Sequence, residues 1–147
     1  MSVEYLKIML LSMVPFTELR GAIPIGIAMD LNPIGVYIVS VIGSTIVSVP
    51  LVLTFRHILH FLKTKQIFAK LVIKIDKKVN SGIKRLKNVS IVGIILFIGI
   101  PLPTTGTWTA SAVASILKMR IKDTLLGALL GNMLSGIIVS AISLHLI

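Results

Sequence analysis

Cysteine is absent from the 147-residue chain. That excludes a disulfide framework, thiolate chemistry and a cysteine-bound zinc site. Acids are scarce: five Asp and Glu stand against fifteen Lys and Arg. All charged residues together make up 14% of the chain, where soluble domains carry about 25%. The three histidines, His57, His60 and His145, do not combine with acids at a metal-ligand spacing. His57 and His60 share a helical face just past an apolar run and read as an interfacial pair. No Ser or Thr stands beside a candidate base. Neither a metal, nor a cofactor, nor an enzyme activity is expected.

What the chain has is hydrocarbon: 55% of its residues are hydrophobic and its mean hydropathy is +1.00. A soluble domain so composed would expose aggregating patches. The expected class is therefore an all-α integral membrane protein in one domain. The net charge of +10 does not point to nucleic acid. Residues 56–88 hold ten of the fifteen bases and one acid, Asp76, and no nucleic-acid module accompanies them.

Two segments read as transmembrane helices. Residues 33–55 and 124–147 carry no charge over 23 and 24 residues, enough to cross a hydrocarbon core of about 30 Å. Gly43, Ser44, Gly127, Gly131, Ser135 and Gly136 form small-residue faces, which let helices approach closely in lipid. Two other apolar stretches are interrupted. Residues 1–32 carry Glu18 and Arg20 between Pro15 and Pro24, with Gly21 beside them. Residues 89–117 break at Ile100-Pro101-Leu102-Pro103-Thr104-Thr105-Gly106. Prolines and glycine end helices, so each stretch reads as two half-length arms around a tip.

Charge placement supports that reading. If all four stretches span, the basic 56–88 block and Lys118-Met119-Arg120-Ile121-Lys122 fall on opposite sides, against the positive-inside rule. If residues 1–32 and 89–117 are re-entrant hairpins, both face the cytoplasm, with thirteen of fifteen bases. Glu4 precedes the first base, Lys7, so the first stretch lacks the positive start of a cleaved leader and is expected to stay. The order hairpin, span, hairpin, span predicts two inverted repeats. Pro15 and Pro103, Thr17 and Thr105, Ala22 and Ala110, and Gly43 and Gly131 are each 88 residues apart. The joining 56–88 segment reads as a basic amphipathic helix on the cytoplasmic leaflet.

Intramembrane charge costs about 2.5–3.5 kcal/mol on insertion scales, so Glu18 and Arg20 ask for a reason. Two residues apart on a helix they point away from each other. Either the tip is non-helical and they pair, or each meets something else. Desolvation favours a carboxyl's neutral form, which makes Glu18 the expected proton-coupling group. Arg20 can grip a phosphate or carboxylate. In the second tip, Pro103, Thr104, Thr105, Gly106, Thr107 and Trp108 are expected either to bind substrate or to cap a broken helix.

The run Glu18-Leu19-Arg20-Gly21-Ala22-Ile23-Pro24 and the run Pro101-Leu102-Pro103-Thr104-Thr105-Gly106-Thr107-Trp108-Thr109 resemble the two signatures of the small multidrug export protein family. The layout is also similar to the DedA, or SNARE-associated, membrane proteins. Those carry acidic and Arg residues in re-entrant hairpins and are linked to moving lipid phosphates. Here Trp108 stands where a second-tip counterpart of Arg20 would be. The resemblance implies a small exporter of the cell membrane, proton-coupled, moving an amphipathic substrate. The alternatives are a translocase of a lipid phosphate, such as undecaprenyl phosphate or a phospholipid, and a non-transporting scaffold. Membrane lipids and a second copy in a homodimer are the expected partners.

Overall fold

The computed structural model describes residues 2–65, 69–71, 73, 74, 77, 91–103 and 105–146. Most of the expected amphipathic segment, and Thr104, lie outside the described residues. Among the described residues there are helices and no strand. Helices α1 (Val3–Met13) and α2 (Glu18–Ala28) have eleven residues each, so each is about 16 Å long. Helices α3 (Pro33–Ile46) and α4 (Ser48–Lys63) form a 31-residue rod broken only at Val47. Helix α5 runs over 91–99, α6 over Thr107–Ile116, and α7 over Ile121–Leu146, 26 residues.

Local chemistry sets these bounds. Asn32 Oδ1 accepts the Ile34 N–H at 2.9 Å and Pro33 takes the first helical position, both favoured at a helix start. Pro50 has no N–H for the Ile46 carbonyl, and the rod breaks beside that carbonyl, at Val47. The first long helix was expected to stop at residue 55 but continues through Arg56, His57 and His60 to Lys63. Charge ends a stay in hydrocarbon, not a helix. Gly21 and Pro24, expected at the tip, lie inside α2. The fixed φ of proline suits a helix, and its missing N–H releases only the Arg20 carbonyl.

The two second arms end alike. Asp30 and Lys118 both take left-handed backbone, with φ 58 and 54. Asp30 N donates to Ile27 O and Leu31 N to Gly26 O; Lys118 N donates to Ser115 O and Met119 N to Ala114 O. Every donor and acceptor has its counterpart 88 residues on, in the same carbonyl-capping turn.

Helix α1 packs on α2 and α3, α2 also on α7, α6 on α4, and α3 crosses α7. Thus the second arm of each half lies against the long helix of the other half. One buried cluster joins Ile8, Leu19, Ile23, Val36 and Val41 with Val139; the other joins Ile94, Ile98, Ala110 and Ala114 with Ala128. The remaining interior is polar. Ser12, Ser40, Ser44, Thr45, Ser48, Ser111, Ser115, Asn132 and Ser135 are buried, while Ile34, Ile38, Ile42 and Ile46 form an exposed stripe along α3. Polar groups inside and isoleucine outside suit a lipid solvent, where packing and interhelical hydrogen bonds hold helices together. The α3–α4 rod and α7 are long and apolar enough to cross a membrane.

Gly131 lets α7 approach α5: a Cβ there would lie 2.7 Å from Ile98 Cβ and 3.1 Å from the Ile95 carbonyl. On α5 itself, Gly93 has nothing within 4 Å of its Cβ position. Gly131→Ala is expected to destabilise by about 1–3 kcal/mol through overpacking. Gly93→Ala is expected to be neutral or to stabilise by up to about 1 kcal/mol through helix propensity. Thermal unfolding in one detergent checks the contrast.

Candidate functional site

The two helix breaks meet, and each supplies what the other lacks. The last carbonyls of a helix have no partner within it, and in hydrocarbon such a group costs several kcal/mol. Arg20, in the first turn of α2, answers those of α5 and the following turn. Its Nη1 donates to Leu102 O at 2.5 Å, and its Nη2 to Ile98 O at 3.1 Å and Ile100 O at 3.3 Å. Nη2 also lies 3.3 Å from Thr105 Oγ1. In return Trp108, in the first turn of α6, donates its indole N–H to Met13 O at 3.1 Å, at the end of α1. Arg20 and Trp108 are 88 residues apart. A different side chain does the same job from the corresponding place.

Two further pairs obey that spacing. Thr17 donates to Leu11 O at 2.5 Å, and Thr105 reaches Ile100 O at 2.9 Å; each hydroxyl turns back onto the arm before it. Glu18 corresponds to Gly106. Glu18 Oε1 accepts the Trp108 backbone N–H at 3.3 Å, so the carboxylate sits at the positive start of α6. It occupies the place where a Gly106 Cβ would be, so a side chain there would push the carboxylate aside. Glu18 itself takes φ 42, a left-handed conformation costing a non-glycine residue about 1–2 kcal/mol. Strain of this kind persists where surroundings over-determine it. Glu18 and Arg20 therefore each meet the opposite tip.

Behind the joint lies a seam of hydroxyls. Thr107 Oγ1 donates to Asn132 Oδ1 at 3.2 Å, and Asn132 Nδ2 donates to Thr45 Oγ1 at 3.2 Å. Asn132 thus ties α6 and α7 to the end of α3. Ser111 and Ser115 bond carbonyls one turn back on α6, and Ser115 also reaches Val52 O at 3.2 Å on α4. Beside the joint a cavity of about 400 Å³ is lined by Arg20, Pro24, Pro101, Val139, Ile142, Ser143 and Leu146. Arg20 Nε is buried and meets no acceptor among the described residues.

The residues expected to form the site divide as follows. Glu18, Arg20, Thr105, Gly106, Thr107 and Trp108 come together at the joint. Pro101 lines the cavity with Arg20 and Pro24. Pro15 and Pro103 are exposed in the two turns, and Thr104 lies outside the described residues. Asn132 and Thr45 were not anticipated. Asn132 is the only amide in residues 124–147, and a search led by charge passes over an amide.

A model of the family described as "Putative small multi-drug export protein" matches residues 18–138, and the chain belongs to that family. No curated protein and no solved structure matches the chain. The matched region begins at Glu18, just past the first turn, and takes in the whole second tip.

The Glu18–Gly106 contact can be isolated by a double-mutant cycle. Gly106→Ala should displace the carboxylate and cost about 1–2 kcal/mol, the scale of a lost helix cap. In a Glu18→Ala background the methyl enters vacated space, so its cost should shrink, giving a coupling of at least about 0.5 kcal/mol. Separately, Trp108→Phe keeps a ring but leaves Met13 O unmet, at about 1–3 kcal/mol. Thermal unfolding reads all four variants.

Proposed function

We propose that this family member is a proton-coupled exporter of an amphipathic molecule, and that the joint between the tips is its gate. The observation that carries the reading is the Glu18 carboxylate on the first turn of α6, just past the break whose carbonyls Arg20 caps. Charged, Glu18 holds α6 to α2. Protonated, it loses its attraction to the helix start and to Arg20, and the joint loosens. The 400 Å³ cavity beside it offers apolar walls for a substrate body and the Arg20 edge and Ser143 for its polar head.

The helix lengths support a re-entrant layout. Arms of eleven residues or fewer reach about half of a 30 Å core, whereas the rod and α7 exceed it. With the paired turns 88 residues apart, we read the chain as two inverted repeats whose tips meet near the midplane. The 118–122 corner and the end of α4 then share the cytoplasmic side of the cell membrane. Two spanning helices enclose no pathway alone, so the working unit in this reading is a homodimer.

A second reading, translocation of a lipid phosphate, is favoured by one observation. Arg20 lines the cavity and keeps one donor, Nε, without an acceptor among the described residues, and a guanidinium suits an anionic head.

Transport into proteoliposomes under an imposed pH gradient tests both. Glu18→Gln keeps shape and most hydrogen bonding but carries no proton. It is expected to keep binding, seen as a ligand-induced rise in melting temperature, and to lose the response to the gradient. Wild-type rate and wild-type pH dependence in that variant would sink the coupling role. Lipophilic cations that raise the melting temperature where phosphate lipids do not would favour drug export. The opposite pattern, abolished by Arg20→Lys, would favour the lipid phosphate.

A further inference from the structure

The end of the bundle remote from the substrate cavity carries a second feature, independent of the gate. Ser115 on α6 bonds Val52 O on α4, and four residues further along in each case Arg56 donates to Met119 O, just past the end of α6. The two helices therefore run parallel there, and α4 continues seven residues beyond Arg56 to Lys63. This brings Arg56, at the head of one basic stretch, against a second that is more than fifty residues away in the chain. That second stretch is the corner between α6 and α7, with Lys118, Arg120 and Lys122. Within these stretches Asp123 is the one acid.

The corner is built, not loose. Lys118 takes left-handed backbone and closes the end of α6, with Lys118 N on Ser115 O at 3.2 Å and Met119 N on Ala114 O at 3.0 Å. Helix α7 follows two residues later, Thr124 N bonding Arg120 O at 2.9 Å. Met119 is buried between its neighbours while Lys118, Arg120 and Lys122 are exposed. Alternate residues of a rigid turn thus present cations, and the residue between anchors the turn to the core. Directly after them α7 exposes Leu126, Leu129 and Leu130, one to two turns on from Lys122 along the same helix. Cations immediately beside exposed apolar side chains match the boundary between lipid head groups and acyl chains.

We infer that this basic corner, clamped by Arg56 to Met119, is a binding site for the phosphate head groups of anionic membrane lipids, with the acyl chains lying along Leu126, Leu129 and Leu130. Charge complementarity selects the partner, and the apolar flank selects a lipid over a soluble anion. A lipid bridging α4 and the 118–122 corner ties the two halves of the chain together at the end where Arg56 is their visible link.

The test uses the purified full chain in neutral detergent, with melting temperature as the readout. Phosphatidylglycerol is added and compared with phosphatidylcholine and with inorganic phosphate. The wild type should be stabilised by phosphatidylglycerol alone, and high salt should remove the shift by screening. Lys118→Gln, Arg120→Gln and Lys122→Gln together should lower the preference for the anionic lipid by about tenfold or more, since each cation near such a surface contributes. The triple exchange Lys118→Arg, Arg120→Lys, Lys122→Arg should keep it, which separates lost charge from lost folding. Three results overturn the inference: equal shifts with both lipids, an equal shift with inorganic phosphate, or a full shift in the glutamine variant.

Discussion

Two helices of an apolar chain break, at Val14–Thr17 and Ile100–Gly106, and the rest of the structure follows from how those breaks are satisfied. A helix that stops in hydrocarbon leaves its last carbonyls bare, at several kcal/mol each. This chain makes each break the hydrogen-bond donor for the other. Arg20 serves Ile98, Ile100 and Leu102, and the Trp108 indole serves Met13. Because donors and acceptors lie on opposite hairpins, neither tip is satisfied alone. The tips must be brought together, and the packing of each second arm against the long helix of the other half does so. The small residues serve the same end: Gly43 and Gly131 bring α1 and α5 to backbone distance, and Gly136 makes room for the Tyr37 ring of α3.

The two halves share a plan and differ in chemistry. The left-handed turns at Asp30 and Lys118, the back-turned hydroxyls of Thr17 and Thr105, and the donors Arg20 and Trp108 all keep one spacing. The symmetry fails at Glu18, whose counterpart is Gly106. It fails there for a steric reason, since the carboxylate fills the space beside that glycine. A symmetric chain with an acid at both positions would place two carboxylates in one site, where like charges disfavour each other's ionisation. Likewise a second arginine in place of Trp108 would add a buried cation with no further acid to balance it. One acid, one arginine, one glycine and one tryptophan satisfy both breaks with a single pair of opposite charges.

Much of the fold is legible in the sequence because its signals are local. The uncharged runs mark α3 and α7, and proline with glycine marks the second break. Glu18 and Arg20 stand out because charge in an apolar stretch is expensive. Pro24 misled because a proline was read as a breaker, although α2 tolerates it at the cost of one hydrogen bond. The end of the first long helix was misplaced because an uncharged run was read as the whole helix, whereas the helix continues seven residues past its first charge, Arg56, to Lys63. What each charge meets was not legible: the Arg20 partners are 78 to 85 residues away, and backbone carbonyls carry no residue signature. Asn132 escaped for a related reason. An amide costs less in lipid than a charge, so its importance shows only when Thr107 and Thr45 are found on either side of it.

In the proton-coupled reading proposed above, the joint that holds the structure also switches it, and the difference lies in what protonation does at its two sides. Removing the Glu18 charge weakens the hold on the start of α6, but the Thr107 and Trp108 side chains keep their own bonds to Asn132 and Met13. The Arg20 hydrogen bonds persist when that proton is added, because their acceptors are neutral carbonyls and the Thr105 hydroxyl. A proton on Glu18 thus releases one strand of a joint that has several, so the tips can part without exposing every broken helix end at once. A joint made of the ion pair alone would be all-or-none, and opening it would leave an uncompensated charge in lipid. Distributing the bonds over one carboxylate, one guanidinium, one indole and the Asn132 amide keeps the step between closed and loosened states small enough for a single proton to bias.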